Sequence, residues 1–307
     1  MKLRSSVCLL ALACILGFLS ISSVMAGIDP AGTAKEPPIA YVQGMIWKRL
    51  ELADFVLTGS IYTDTDKSKK RYPVILRTRG HMLVYEFQDQ PLQIRVQLDP
   101  GKFTVEKRKS SKDHWVTVPD KEMGKSILDT NITYEDLGID FVNWDDVTPL
   151  GTDTIKTLAA YVFEAKPGPG DHSRFAKVRY WVSSQYWAFL RIDGLNAQGQ
   201  TIKRVEVQDV MQLGQYYVFK QMKVGNMIPD RNDMASSTTF IDIDHGTEGS
   251  GLPASSSPAT SNTALPVINT DKIPVAPIAA PDTSAAPAAP ADTSSTPTTP
   301  ATTPAPL

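Results

Sequence analysis

Leu92-Gln93-Ile94-Arg95-Val96-Gln97-Leu98 alternates apolar and polar residues without a break. Successive side chains on a strand point to opposite faces, so this run predicts a strand with one face buried and the other in water, as in an antiparallel sheet. The same pattern predicts strands over residues 54–63, 72–79, 82–87, 102–108, 155–165, 175–182, 188–195, 201–210, 216–224 and 238–243, about eleven in all. Short turn signals separate many of them: Asp66-Lys67-Ser68, Arg79-Gly80, Asp99-Pro100-Gly101, Gly168-Pro169-Gly170 and Asn196-Ala197-Gln198-Gly199. Short turns between sequential strands make a meander of hairpins.

Residues 119–147 break the alternation. Pro119 suits a helix entrance, and the spacing predicts a helix over 120–128. Further on, Thr133 can cap a second helix, whose positive end Glu135 and Asp136 would complement. Tyr134, Leu137, Phe141 and Trp144 then fall at helical spacing and form one apolar stripe. A short helix is also expected over 45–50. A long meander with helices on one side should curl around them, which gives a mainly β, α+β fold with a single interior.

Composition marks the ends of this domain. Lys2 and Arg4 precede an apolar run from Val7 to Leu19, and Val24-Met25-Ala26 is a small-x-small cleavage pattern. This predicts a signal peptide over 1–26, cut after Ala26, and a periplasmic protein; the apolar run is short of the ~20 residues of a membrane span. Both cysteines, Cys8 and Cys14, lie in it, and Ala11-Leu12-Ala13 is a poor lipoprotein box before Cys14. The mature chain then has no thiol, so disulfide, zinc-thiolate and cysteine-nucleophile chemistry are excluded. Residues 27–38 read as a flexible segment and 39–246 as the folded domain. From Gly249 onward the chain is almost wholly Pro, Ala, Ser and Thr, with twelve of the 23 prolines, Lys272 as its one basic residue and no aromatic. Residues 247–307 cannot bury enough apolar surface to offset ordering entropy, so a disordered tail is expected.

Candidate chemistry is sparse. His81, His114, His172 and His245 lie on separate segments with no metal-ligand spacing, and no metal or other cofactor is expected. No nucleophile elbow or phosphate-binding glycine loop is present, so nothing points to an enzyme. With 31 basic residues against 33 acidic, the chain is no dedicated nucleic-acid binder. Asn131-Ile132-Thr133 matches a glycosylation acceptor by form alone.

Ile132-Thr133-Tyr134-Glu135-Asp136-Leu137, followed by Phe141 and Trp144, resembles a signature of the outer-membrane lipoprotein-sorting proteins, the LolA-like group. Residues 52–59, 72–77, 89–92, 176–182 and 190–193 look alike as well, in the same order along nearly the whole domain. The resemblance is to a divergent branch and implies an unclosed antiparallel β half-barrel whose concave face is covered by a helical lid. It also implies a monomeric, non-enzymatic carrier that shelters lipid or lipoprotein acyl chains on the way to the outer membrane, between an inner-membrane transporter and an outer-membrane acceptor. Relatives on that fold include lipid-sensing and partner-binding regulators, which is the alternative role. No arginine here maps onto the family's lid-locking arginine. A carrier needs apolar side chains facing space they do not fill. The candidates are Phe55, Leu57, Phe87, Leu92, Ile94, Val96 and Phe189 on the sheet, with Tyr134, Leu137, Phe141 and Trp144 on the lid. A carrier interior is expected to be large and contiguous; a regulator's is expected to be collapsed.

Overall fold

The computed structural model describes residues 37–50, 52–64, 70–99, 102–229, 231, 234–249 and 251–252. The expected signal peptide, residues 27–36 of the flexible segment, Asp66-Lys67-Ser68, Pro100-Gly101 and the tail beyond Leu252 lie outside the described residues.

Helix α1 (Ile39–Arg49) precedes thirteen strands. The first six are β1 (Leu52–Asp64), β2 (Arg71–Gly80), β3 (Met82–Phe87), β4 (Leu92–Asp99), β5 (Lys102–Arg108) and β6 (Val116–Thr117). After α2 (Asp120–Met123) and two one-turn 3₁₀ helices come β7 (Asp146–Ile155), β8 (Leu158–Lys166), β9 (Lys177–Ser183) and β10 (Phe189–Leu195). The set closes with β11 (Thr201–Leu213), β12 (Tyr216–Met227) and β13 (Ala235–Glu248). All thirteen form one antiparallel sheet in the order β6-β5-β4-β3-β2-β1-β13-β12-β11-β10-β9-β8-β7. The two ends of this order do not pair with each other, so the sheet is unclosed.

Each of the eleven expected strands is present; the count rises to thirteen because of β6 and β7, the two edges. An edge strand has one partner and need not bury a face, so it carries little alternation to read. β6 is exposed at both residues, and β7 holds Pro149 and Gly151 and is exposed along most of its length. Proline is tolerated there because an edge N–H is not needed by the ladder.

This order dictates where the remaining chain runs. The first half steps outward from β1 to the β6 edge, and the second half enters at the β7 edge and steps back to β13, beside β1. Residues 118–145 therefore cross the sheet from one edge to the other, over the concave face. Their apolar residues, among them Ile127, Ile132, Leu137, Phe141 and Trp144, join the sheet's inward residues in one core. The two halves meet along β1 and β13, in register at Ile61↔Ile241 and shifted at Thr58/Gly59. Gly59 is required at that shift: a Cβ there would lie 1.9 Å from the Asp242 carbonyl oxygen.

The helices depart from the sequence expectation. α1 extends back from 45–50 to begin directly after Pro38. The helix expected over 120–128 is only the single turn α2, and Leu128 lies at φ 54. Gly124 ends that turn, and a glycine inside a helix costs about 1 kcal/mol relative to alanine. A segment that must span a whole sheet is also better extended than coiled. Tyr134, Leu137, Phe141 and Trp144 are all buried, yet no single helix carries them. They lie on or beside two 3₁₀ turns, Glu135–Leu137 and Asp140–Val142, broken at Gly138. The ring of Phe103 fills the space a Cβ on Gly138 would need, 2.4 Å away, so the chain passes there in extended form against β5.

Candidate functional site

Between the crossing segment and the β9–β12 part of the sheet lies a cavity of ≈ 80 Å³. Phe141, Trp144, Phe175, Val178, Phe189, Val205, Val207 and Met222 give it apolar walls. Aromatic rings pack beside it: Phe141 lies 5.2 Å from Tyr180 and 5.6 Å from Phe189, and Tyr180 stacks on Phe163 at 5.4 Å. Burial of Tyr180 pushes its phenol well above the usual range. A second cavity, ≈ 10 Å³, lies under the same segment and is bounded by Ile61, Tyr85, Phe87, Ile94, Ile132 and Leu137 among others.

The structure divides the sequence-derived candidates accordingly. Phe141, Trp144 and Phe189 line the larger cavity, and Phe87, Ile94 and Leu137 the smaller. Phe55, Leu57, Val96 and Tyr134 are buried in the same core without lining either, and Leu92 packs against it half-buried. Phe55 meets Tyr216 edge-on at 5.1 Å, and Lys107 Nζ lies 5.3 Å over the Tyr134 ring.

One rim of the larger cavity is polar: Glu135, Asp136, Asp140, Asp171, His172 and Lys203. Here the lid is fastened. Lys203 on β11 and Asp136 are 3.2 Å apart, their side chains 5 % and 3 % exposed. Lys203 Nζ also donates to the Asn131 carbonyl and, at 2.8 Å, to Asn226 Oδ1. Arg174 pairs with Glu135 at 3.1 Å and with Asp136 on its other side, and Ser173 donates to Glu135 at 2.6 Å. Burial lowers the Lys203 ammonium's pKa against the pull of Asp136. Burial raises that of the Glu135 carboxyl against Ser173 and Arg174, and that of the Asp140 carboxyl against its bond from Asn143. Thr133 and Asp136 bond reciprocally, backbone N–H to side-chain oxygen, at 2.8 and 3.3 Å. The short 3₁₀ turn starts from Tyr134 and has no side-chain cap of its own, so Thr133 does not cap a helix as expected; it closes a box with Asp136, which serves that box and the ion pairs together.

Other ties hold the crossing segment elsewhere. The Asn131 N–H donates to Thr239 Oγ1 on β13 at 2.8 Å, and Gln43 of α1 donates to the Val142 carbonyl at 2.8 Å. Asn131 is 8 % exposed and its Oδ1 accepts from Ser237 and Asn226, which leaves no room for a glycan.

Phe175, Val205, Val207, Met222, Arg174 and Lys203 are absent from the sequence-derived candidates. A signal for Lys203 exists: it shares strand phase with Val205 and Val207, a lysine on an apolar face. No sequence signal marks Arg174, which lies outside any strand and reaches the lid only through the fold.

The model of one protein family, described as an uncharacterized protein, matches residues 111–248, less than half of the chain. No curated protein matches. Solved structures do. A DUF1329 family protein from Desulfovibrio piger is 14 % identical, with a TM-score of 0.56, covering 71 % of this chain and 96 % of that one. A candidate outer membrane lipoprotein-sorting protein domain from Vibrio parahaemolyticus is likewise 14 % identical at a TM-score of 0.56, covering 70 % and 92 %. A LolA superfamily protein from Nitrosomonas europaea is 13 % identical at a TM-score of 0.49, covering 73 % and 96 %. The chain thus shares the fold of the Desulfovibrio protein and of the Vibrio domain, the fold that the resemblance in sequence implied.

Proposed function

We propose that the protein is a periplasmic, non-enzymatic carrier that shelters acyl chains of lipids or lipoproteins between the concave sheet and the crossing segment. In this reading residues 1–26 direct export, 39–246 hold the cargo and the Pro/Ala/Ser/Thr tail is a solvated spacer. The observation that carries it is the aromatic and aliphatic cavity directly beneath a chain segment that traverses the sheet and is fastened at a few polar points. The fold shared with the Vibrio sorting domain supports it.

Size sets the mechanism. An apolar cavity of roughly 150 Å³ is needed to hold benzene. At ≈ 80 Å³ the cavity is closed to an acyl chain until the lid moves. Burying twelve methylenes contributes ~10 kcal/mol. Opening the lid frees its ion-paired carboxylates, Glu135 and Asp136, into water, where both partners are rehydrated, so burial of an acyl chain can drive it. Cargo and lid then compete for one apolar surface, with Phe141 and Trp144 leaving the cavity as the chain enters.

The filled interior favours a second reading, a partner-binding or lipid-sensing regulatory module whose lid stays shut. Mass spectrometry of lipid extracted from the exported, purified protein separates the two. Stoichiometric phospholipid or lipopeptide is expected. Lipid-free protein that also fails to bind an acyl fluorophore, yet captures one defined membrane protein, would replace the carrier with the regulator.

A further inference from the structure

Charges at the polar rim of the larger cavity are sorted by element. Glu135, Asp136 and Asp140 all belong to the crossing segment. Lys203 belongs to β11, and Arg174 to the loop that leads into β9. That loop is fastened to the sheet. The Ala176 N–H donates to the Leu195 carbonyl at 2.9 Å, and the Phe175 ring fills the space a Cβ on Gly194 of β10 would need, 2.3 Å away. Of the acids lining the cavity only Asp171 stays on the sheet side; it is exposed and accepts from the Gly168 N–H of its own loop at 2.7 Å. Opening the lid therefore separates the signs. The carboxylates leave with the segment, and the ammonium and the guanidinium remain beside the apolar walls. An acyl chain lying along Phe175, Phe189, Val205 and Val207 cannot place its polar head among them without leaving it unpaired. The polar end of the same cavity is the one that holds Lys203.

Building on the acyl-sheltering reading, we infer that Lys203 and Arg174 form a headgroup site, where the anionic head of the cargo takes the places that Asp136 and Glu135 hold in the closed protein. Lid and ligand then exchange at both ends of the cavity: hydrocarbon replaces Phe141 and Trp144, and the ligand's charge replaces the lid's carboxylates. Lys203 has a further reason to accept the exchange. Its other partner on the crossing segment, the Asn131 carbonyl, is neutral, as is Asn226 on β12. The chemistry is an anionic oxygen group at the head of an alkyl chain, and it has two sources: the phosphate of a phospholipid and the carboxylate of a free fatty acid. A guanidinium suits both, because its fork of donors pairs with two oxygens at once. A neutral lipid leaves the two cations without an acid.

Three ligands with the same sixteen-carbon chain test this on the delipidated full chain, by displacement of a neutral acyl fluorophore: 1-palmitoyl-lysophosphatidylglycerol, palmitate, and the uncharged 1-monopalmitoylglycerol. The wild type should bind the phosphate or the carboxylate ligand about tenfold or more tightly than the uncharged one, the size of one hydrogen bond to a charged group. Whichever of the two is preferred identifies the source. Arg174→Gln and Lys203→Met should each shrink the preference: the anionic ligand loses a partner, while the uncharged one gains from a loosened latch, and its binding shows the cavity intact. If Lys203→Met does not fold, Arg174→Gln decides the question, since that side chain is 30 % exposed. Glu135→Gln removes a lid charge and no sheet charge, so it should tighten all three ligands together and keep the preference. Equal binding of all three by the wild type, a preference undiminished in Arg174→Gln, or one lost in Glu135→Gln would overturn the headgroup site and leave acyl sheltering standing. Failure of every ligand and of the fluorophore to bind would overturn both.

Discussion

Placing Lys203 is costly. A buried ammonium loses its hydration, and only Asp136, the Asn131 carbonyl and Asn226 replace it. Removing one partner of a buried pair leaves the other charge uncompensated. Arg174 still serves Asp136 when Lys203 is gone, so Lys203→Met should destabilise by about 3 kcal/mol, the low end of that range. Urea unfolding measures it, and a loss well under 1 kcal/mol would mean Asp136 needs no second cation. Asp140 works in the opposite sense. Its carboxyl is raised in the folded state, mainly by burial, with Asp171 adding to the shift. Between its ordinary value and the raised one, the folded chain binds more protons than the unfolded chain, so stability from this group grows as pH falls through that window. Glu122, Asp129 and Glu164 are lowered and pull the whole protein the other way on acidification. The contribution of Asp140 is therefore read as a difference: Asp140→Asn should lose stability relative to wild type as pH falls through the carboxyl range. Parallel profiles for the two proteins would refute it.

At the scale of elements, the lid is held unevenly. Residues 129–131 are tied to β13 and neighbouring strands, while Glu135 and Asp136 depend on Arg174 and Lys203 from the second half of the sheet. The 3₁₀ turns have little intrinsic stability, since each is a single turn. Arg174→Ala should thus speed amide exchange across 132–144 about tenfold or more, a hydrogen bond to a charged group being worth ~1.5–3 kcal/mol, with β2–β4 unchanged. Uniform exchange rates along the chain would show that the segment opens only with global unfolding. Three basic residues near hairpin ends are engaged: Lys70 with Asp129, Lys107 with Glu122, and Arg108 over the Trp115 ring.

For the whole molecule, the unclosed sheet leaves two edges to protect. β6 is only two residues long, and β7 carries Pro149 beside the exposed Leu150. Short or proline-bearing edges prevent strand addition from a second chain. Pro149→Val restores an edge N–H and adds β propensity next to an exposed apolar residue, so a concentration-dependent dimer or larger species should appear in light scattering. A variant that stays monomeric at millimolar concentration would show that Pro149 does not guard this edge.

Strands were legible because one face of each is buried and the other wet, and that contrast is written residue by residue, as in Leu92–Leu98. The stripe Tyr134, Leu137, Phe141 and Trp144 was legible as apolar for the same reason, and all four are buried. Its division into two 3₁₀ turns was not, because the Phe103 ring that excludes a Cβ at Gly138 comes from a strand thirty-five residues away. The edge strands were silent because pairing, not burial, defines them. Burial pattern is local, so the sequence by itself determined the meander, its inward residues and the break between its halves. Which strands become edges, where the crossing segment is latched by Arg174 and Lys203, and how little space remains beneath it depend on groups far apart in the chain. Those were decided only when the halves met along β1 and β13, because distances between such groups exist only in the closed tertiary structure.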